Sequence, residues 1–142
     1  MSAYKIYSCT FTDKEVLLEA LNILGLKTEV HDEPQPLTGY EGHARKQMAQ
    51  IIVPQKSLNE TFTRLSNDLG FAWNAARASY DMVVSDYDIG QKMPERIRQA
   101  YAKVALEHLM DEYRFTIEES TDNSKLTQRA RVDVNIVASI II

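Results

Sequence analysis

A glycine-flanked basic loop carries residue types that are suited to binding an anion. Segment 39–46 reads Gly-Tyr-Glu-Gly-His-Ala-Arg-Lys, so two glycines enclose Tyr40, and His43, Arg45 and Lys46 follow. Closely spaced glycines allow backbone amides to converge on an anion, and arginine and lysine add positive charge. The segment therefore predicts a site for a small anionic ligand or a nucleotide. The alternative interpretation is an ordinary turn-rich loop with solvated basic residues.

A tryptophan followed by an amide side chain forms a second candidate. Trp73 is the single tryptophan of the chain, and Asn74 comes directly after it. An indole can stack on a ligand or a partner while the neighbouring amide forms hydrogen bonds. Together with the loop residues Tyr40, His43, Arg45 and Lys46, both residues form one candidate set for binding a ligand or a partner. The alternative is a core aromatic residue on a strand.

Metal-binding and catalytic patterns are not recognisable in the sequence. The histidines His31, His43 and His108 lack the short spacings of a zinc site, and the acidic cluster at 29–33 resembles a solvated strand end. His108 falls on the apolar side of a predicted helix, which favours a core histidine. Cys9 falls inside a predicted strand, where a buried hydrophobic role is the usual one. We expect no metal, no cofactor and no catalytic residue.

The chain ends in an apolar segment. Residues 136–142 read Ile-Val-Ala-Ser-Ile-Ile-Ile, and such a segment tends to aggregate unless something covers it. We expect it to form a contact between subunits of a homo-oligomer. The contact residues are Ile136, Val137, Ile140, Ile141 and Ile142. The alternative is a buried terminal strand within the monomer.

Regular elements must position these residues, and the first three form a strand-helix-strand unit. Residues 3–11 contain aromatic and apolar residues without a glycine or proline and predict a strand. Thr12 and Glu15 have the spacing of a capping box, and Gly25 supplies the left-handed residue that ends the helix. Residues 26–31 predict the second strand.

A similar unit follows a loop over residues 32–46, which Pro34, Pro36, Gly39 and Gly42 predict. Residues 50–54 predict a buried strand, and Ser57 with Glu60 repeats the capping-box spacing at the start of a helix that Gly70 closes. A strand follows at 71–75. Two such units in succession match the element order of a ferredoxin-like sandwich in the first half of the chain.

The remaining segments add one helix and three strands. Residues 80–84 alternate as a strand, and Pro94 suits the first turn of a helix that ends near Glu112. Strands are predicted at 113–118 and 126–136, joined by a turn at 121–124. The prediction is a single α+β domain over residues 1–142. It has an antiparallel sheet with about three helices on one face, in the order βαββαββαββ.

Composition limits the classes of partner. The chain has 142 residues, 44% of them hydrophobic, and a formal net charge of -4. These values are typical of a globular protein and make bulk binding to nucleic acid or an anionic membrane unfavourable. One cysteine and no signal-like N-terminus predict a soluble cytoplasmic protein. The interpretation is a non-enzymatic accessory or protein-binding module that self-associates and has an unidentified protein partner.

Four short motifs, in order, resemble a known family. They are Gly-Tyr-Glu-Gly at 39–42, Asp-Leu-Gly-Phe-Ala-Trp-Asn at 68–74, Tyr-Asp-Met-Val-Val-Ser-Asp at 80–86 and Arg-Gln-Ala-Tyr-Ala at 98–102. The set is similar to the conserved hypothetical chloroplast reading frame thirty-five, over about residues 3–120. Ala72 replaces an arginine of that family, and the stretch after Asp86, where the family has a tryptophan, is shortened and lacks it. The resemblance implies a fold without an established activity or catalytic residue, and a stromal location if the chain is plastid-encoded.

Overall fold

The computed structural model of the chain describes residues 4–39, 42–62, 65, 67–85, 88 and 92–119. In chain order, the helices and strands are β1 Tyr4–Phe11, α1 Lys14–Ile23, β2 Glu29–Thr38, β3 Ala44–Val53, α2 Gln55–Thr61, β4 Leu69–Asn74, β5 Ser79–Ser85 and α3 Met93–Glu119. The described strands form one sheet in the order β1-β5-β4-β3-β2, and all neighbouring strands are antiparallel. The α+β class and the order of the first eight predicted elements are confirmed.

The helices pack on one face of this sheet, as predicted. The main core joins side chains of α1, α2 and α3, such as Leu17, Leu58 and Ile97, to sheet residues such as Phe71 and Met82. These side chains are fully buried. Burying a side chain of this size contributes about 1.5–3 kcal/mol, so this face supplies most of the apolar stabilisation.

The sheet is not ferredoxin-like. In that arrangement the two strands joined through a helix are parallel and separated by another strand. Here β3 and β4, which α2 connects, are direct antiparallel neighbours, with Ile51 opposite Phe71. β1 lies at the edge of the sheet and pairs with β5. The element order was predicted correctly, but the strand pairing was not.

Helix α1 begins one residue later than the predicted capping box. The N-cap is Asp13, whose Oδ1 accepts hydrogen bonds from the amides of Glu15 at 2.9 Å and Val16 at 3.2 Å. One carboxylate oxygen thus satisfies two amides that the helix leaves free, and Thr12 is not needed as the cap. Gly25 has φ +79°, which confirms its predicted left-handed role after the helix.

The predicted loop over residues 32–46 is mostly strand. β2 and β3 form a long hairpin that includes residues 32–38 and 44–46 of the predicted loop. Pro34 and Pro36, which predict a loop in the sequence, lie within β2. Among the described strands β2 pairs only with β3, and proline is tolerated on such an edge strand.

The outer half of this hairpin bends back over the sheet face opposite the helices. Val30 pairs with Ile51 and Gln35 pairs with Ala49, so β2 uses five residues where β3 uses two. This register shift is a bulge-like irregularity in the pairing. Beyond it, Leu37 and Ala49 lie against Gly70 on β4. A second, smaller core results, formed by Tyr4, Leu37, Ala49, Ile52 and Val83. No sequence pattern had indicated this second layer.

Helix α2 is shorter than predicted and begins earlier. It follows Pro54 and ends before Phe62, so the predicted span to Leu69 is wrong. Ser57 is buried inside the helix, where its Oγ accepts a hydrogen bond from the Lys27 amide at 2.7 Å. Gly70 lies in β4 and does not end a helix. Apolar residues at helical spacing had suggested a longer element, but Leu65 reaches the core without helical backbone.

Helix α3 continues through the segment that was predicted as a strand. It includes residues 113–118, so that prediction is wrong, whereas Pro94 in the first turn is confirmed. Neither glycine nor proline interrupts the stretch after Glu112, so the helix can continue. In the described part of the chain, no helix is both long and apolar enough to cross a bilayer. The predicted turn at 121–124 and strand at 126–136 lie outside the described residues.

His108 is not a core residue. Its side chain is 46% exposed on α3, and its Nε2 lies 2.7 Å from Oε2 of Glu19 on α1. A second polar contact also joins this side of the fold to α3, since the Asp13 amide donates to the Tyr101 hydroxyl at 3.1 Å. The helical pattern placed His108 on the apolar side of α3. The residue lies at the margin of that side, where it contacts both α1 and solvent.

Candidate functional site

The glycine-flanked segment forms the tip of the β2–β3 hairpin. The Gly39 amide donates to the His43 carbonyl at 2.8 Å, and the Gly42 amide donates to the Gly39 carbonyl at 3.1 Å. Gly42 has φ +79°, a conformation that glycine adopts at little cost. The glycines therefore close a turn. His43 and Lys46 are exposed beside it, and Tyr40 lies outside the described residues.

Arg45 packs onto the body of the domain. Its guanidinium carbon lies 5.2 Å from the centroid of the Tyr4 ring on β1, within cation–π range. A Cβ built at Gly39 would approach Arg45 Cδ to 2.8 Å, so the stem of Arg45 fills the space that glycine leaves. This placement gives Arg45 a role in holding the hairpin tip.

Asp68 connects the hairpin tip to the rest of the fold. Its Oδ2 accepts from the Thr38 amide and its Oδ1 from the Gln55 amide, both at 2.9 Å. Its own amide donates to the Thr38 carbonyl at 2.9 Å, and its carbonyl accepts from the Tyr4 hydroxyl at the same distance. We refer to Tyr4, Thr38, Gln55 and Asp68 as the Asp68 cluster. Its partners are far apart in sequence, and sequence reasoning did not identify it.

The Tyr4 phenol has a raised pKa at this position. Burial raises the pKa of the Tyr4 phenol above its usual value, and the nearby carboxylates of Asp68 and Asp88 raise it further. The guanidinium of Arg45 opposes this effect in part. Asp88 is buried, and its Oδ2 accepts a hydrogen bond from Asn67 at 3.4 Å. This end of the fold is therefore a connected polar layer beneath the hairpin tip.

Asn74 is engaged in the turn between β4 and β5. Its Oδ1 accepts hydrogen bonds from the amides of Ala76 at 3.1 Å and Arg77 at 3.3 Å, and its Nδ2 donates to Asp81 at 3.0 Å. This is the pattern of an asparagine that shapes its own turn. The side chain contributes to positioning Trp73, its neighbour on β4.

Trp73 remains 42% exposed at the end of β4. Its ring packs edge-on against Tyr80 of β5, with centroids 4.9 Å apart. Its backbone amide donates to Oε1 of Gln50 at 2.9 Å. Burial raises the pKa of the Tyr80 phenol. Trp73 thus packs on Tyr80 with one side and is open to a partner with the other. The alternative prediction, a core aromatic residue, is not confirmed.

Two grooves flank Trp73. We call the first the apolar groove; it has a volume of about 370 Å³ and is lined by Ile6, Gln47, Met48, Ala72, Trp73, Asn74, Ala75, Asp81 and Val83. We call the second the polar groove; it has a volume of about 380 Å³ and is lined by Thr12, Lys14, His31, Asp32, Gln50, Trp73 and Tyr80. Both volumes fall in the range of small-molecule sites.

The predicted site residues fall into separate groups. Trp73 and Asn74 border the apolar groove, whereas His43, Arg45 and Lys46 of the hairpin tip line neither groove. The sequence had suggested one site from both segments. Tyr40, the Cys9 side chain and the five C-terminal contact residues lie outside the described part. Within the described residues, no group of three or more His, Cys, Asp or Glu side chains is placed to hold a metal ion.

The comparisons with known proteins place the chain in one family. The family model described as "Protein of unknown function (DUF1257)" matches residues 20–130, which is more than three quarters of the chain. Neither the comparison with curated proteins nor that with solved structures gives a match.

Proposed function

Because the chain belongs to the DUF1257 family of proteins of unknown function, we propose a function from its own surface. The protein is a protein-binding module that self-associates and acts by binding, without catalysis. Its binding surface is the apolar groove beside Trp73. The occupant of this groove is the apolar segment 136–142 of a second copy.

The exposed apolar side chains around this groove carry the proposal. Ile6 is 67% exposed, Met48 46% and Trp73 42%, and all three line it. Its floor includes Val83, which is buried. Scattered exposed apolar residues are ordinary, but three large ones around one concave surface are typical of an interaction site.

The neighbouring sheet edge favours an extended occupant. β1 carries Ile6 and, among the described strands, pairs on one side only. Such an edge offers backbone amides and carbonyls to an added strand. Segment 136–142 has the isoleucine and valine content of a strand and follows Glu119 by enough chain to reach a neighbour. Pairing along β1 would bring its isoleucines to the groove.

Molecular mass in solution tests this proposal. We expect light scattering after size exclusion to report a dimer or larger species whose mass falls on dilution. Ile6→Glu and, separately, Ile140→Asp each shift the protein toward the monomer, because each places a charge in an apolar contact. Ile23→Glu serves as the matched control, since Ile23 is 53% exposed on α1 and lies away from the groove. A wild-type monomer at all concentrations contradicts the proposal.

We also propose that the chain is related to the hypothetical chloroplast reading frame thirty-five. The motifs at 39–42, 68–74 and 80–86 support a relationship with the hypothetical chloroplast reading frame, and with it a cytoplasmic or stromal location. Recovery of an accessory protein partner in a pull-down from the native host would support this role. Recovery of the chain alone would restrict it to self-association.

A further inference from the structure

Two aromatic rings meet at an angle in the polar groove. The planes of Trp73 and Tyr80 are inclined by 67°, and Tyr80 is buried beneath the more open Trp73. Both residues line the groove. An indole ring held in place by a second ring offers a flat apolar surface on which a planar ligand can stack.

Gln50 presents hydrogen-bond donors to the same groove. Because its Oε1 accepts from the Trp73 amide, the orientation of the side-chain amide is set. Its Nε2 forms no hydrogen bond to another described residue, so both hydrogens are available. A ring nitrogen or carbonyl of a stacked ligand would find a donor at this position.

Three further side chains on the wall have no partner among the described residues. They are Lys14, His31 and Asp32. The ammonium group of Lys14 can pair with an anionic group, and His31 can donate a hydrogen bond to it. The carboxylate of Asp32 can accept from an amino or hydroxyl group. The groove thus combines a stacking surface, a cation and an acceptor.

We propose that the polar groove binds a planar heteroaromatic ring that carries an anionic group, with a nucleoside monophosphate as the representative ligand. The ring stacks on Trp73, its polar edge meets Gln50 and Asp32, and the phosphate pairs with Lys14 and His31. A volume of about 380 Å³ suits one mononucleotide better than a polymer. Trp73 is the one residue that this site shares with the apolar groove.

Trp73 itself reports on the test, since it is the single tryptophan. AMP, GMP, CMP and UMP are titrated against the full chain, with fluorescence and calorimetry as parallel readouts. We expect saturable binding of at least one nucleotide. The corresponding nucleoside, ribose 5-phosphate and inorganic phosphate should each bind at least about tenfold more weakly, because each lacks one of the two recognised parts.

Variants locate the site. Lys14→Gln should weaken nucleotide binding about tenfold and leave nucleoside binding unchanged, because it removes one charged hydrogen-bond partner. Lys103→Gln, an exposed lysine of α3, is the matched control. Absence of calorimetric binding for all four nucleotides overturns the inference, as does equal weakening by both variants or equally tight binding of inorganic phosphate. The solution mass of Lys14→Gln should match that of the wild type, which separates this result from the self-association test.

Discussion

The Tyr4 hydroxyl donates a hydrogen bond to the backbone carbonyl of Asp68 at 2.9 Å, across 64 positions of sequence. Tyr4 begins the edge strand β1, and Asp68 stands directly before the central strand β4. The bond ties the sheet edge to the residue that also holds the hairpin tip. These polar contacts of Asp68, together with the smaller apolar core, therefore hold the folded-back hairpin on the sheet.

Tyr4→Phe tests the strength of this bond. We expect the free energy of unfolding to fall by about 1 kcal/mol, the usual net contribution of one hydrogen bond. Urea denaturation near neutral pH measures it. Phenylalanine keeps the ring beneath Arg45, so a loss of several kcal/mol would show that the ring itself had moved.

The raised pKa of Tyr4 makes stability depend on alkaline pH. The unfolded phenol ionises near pH 10, and burial together with Asp68 and Asp88 raises the folded pKa above that value. The stabilising contribution is fully present below about pH 10 and is lost as the pH rises toward the folded pKa. Wild-type denaturation midpoints should therefore begin to fall at about pH 10 and continue to fall toward about pH 12, and those of Tyr4→Phe should fall less steeply. Some slope remains because burial also raises the pKa of Tyr80.

Asp68→Ala should lower the free energy of unfolding more than Tyr4→Phe does. It removes the acceptors of the Thr38 and Gln55 amides, and we expect a loss of about 2–3 kcal/mol. Hydrogen exchange should show faster exchange at these two amides. Asp32→Ala is the control, since Asp32 is exposed and should change stability by less than about 0.5 kcal/mol. Equal losses in both variants would contradict the anchoring role of Asp68.

Gly70 tests the close approach of the bent hairpin. A Cβ at this position lies 2.8 Å from the Ala49 Cβ, so Gly70→Ala should cost about 1–3 kcal/mol. Adding Ala49→Gly removes the shortest contact and leaves that with Leu37 Cδ2 at 3.0 Å, and the double variant should cost less than the sum of the two single variants. A double-mutant cycle by chemical denaturation measures this coupling. Strictly additive losses would mean that the hairpin does not rest on β4.

The Glu19–His108 pair should contribute little to the free energy of unfolding. Both side chains are 46% exposed, and exposed ion pairs give about 0–1 kcal/mol. A cycle of Glu19→Gln and His108→Gln should show a coupling energy below about 1 kcal/mol that diminishes with added salt. A larger, salt-independent coupling would indicate a packing role for the pair.

Short-range chemistry made much of the fold predictable. Gly25 ends α1 in a left-handed conformation, Pro94 lies in the first turn of α3, and the alternating residues of β5 form a strand. These features depend on neighbours within a few positions. The prediction at Pro34 failed because it depends on where β2 lies in the sheet, and the strand predicted at 113–118 failed because these residues continue α3. An edge position tolerates proline, and a helix continues where no residue breaks it.

The candidate site was only partly predictable. Trp73 was predictable as a candidate because an indole beside an amide can stack and form hydrogen bonds, but the role of Asn74 in its own turn required the hydrogen-bond geometry. Arg45 was read as a free basic residue, whereas its stem fills the space above Gly39 and its head lies over Tyr4. Ile6 and Lys14 carried no signal, since their importance comes from the grooves that they line.

The amino-acid sequence by itself determined the class, the order of the first eight elements and the residues that begin or end several of them, because these depend on local backbone preferences and on the spacing of apolar residues. Only the tertiary structure decided that β1 pairs with β5, that the hairpin folds back onto β4 and that two grooves meet at Trp73. Those outcomes depend on contacts between residues tens of positions apart. Such contacts form only when the whole chain has packed.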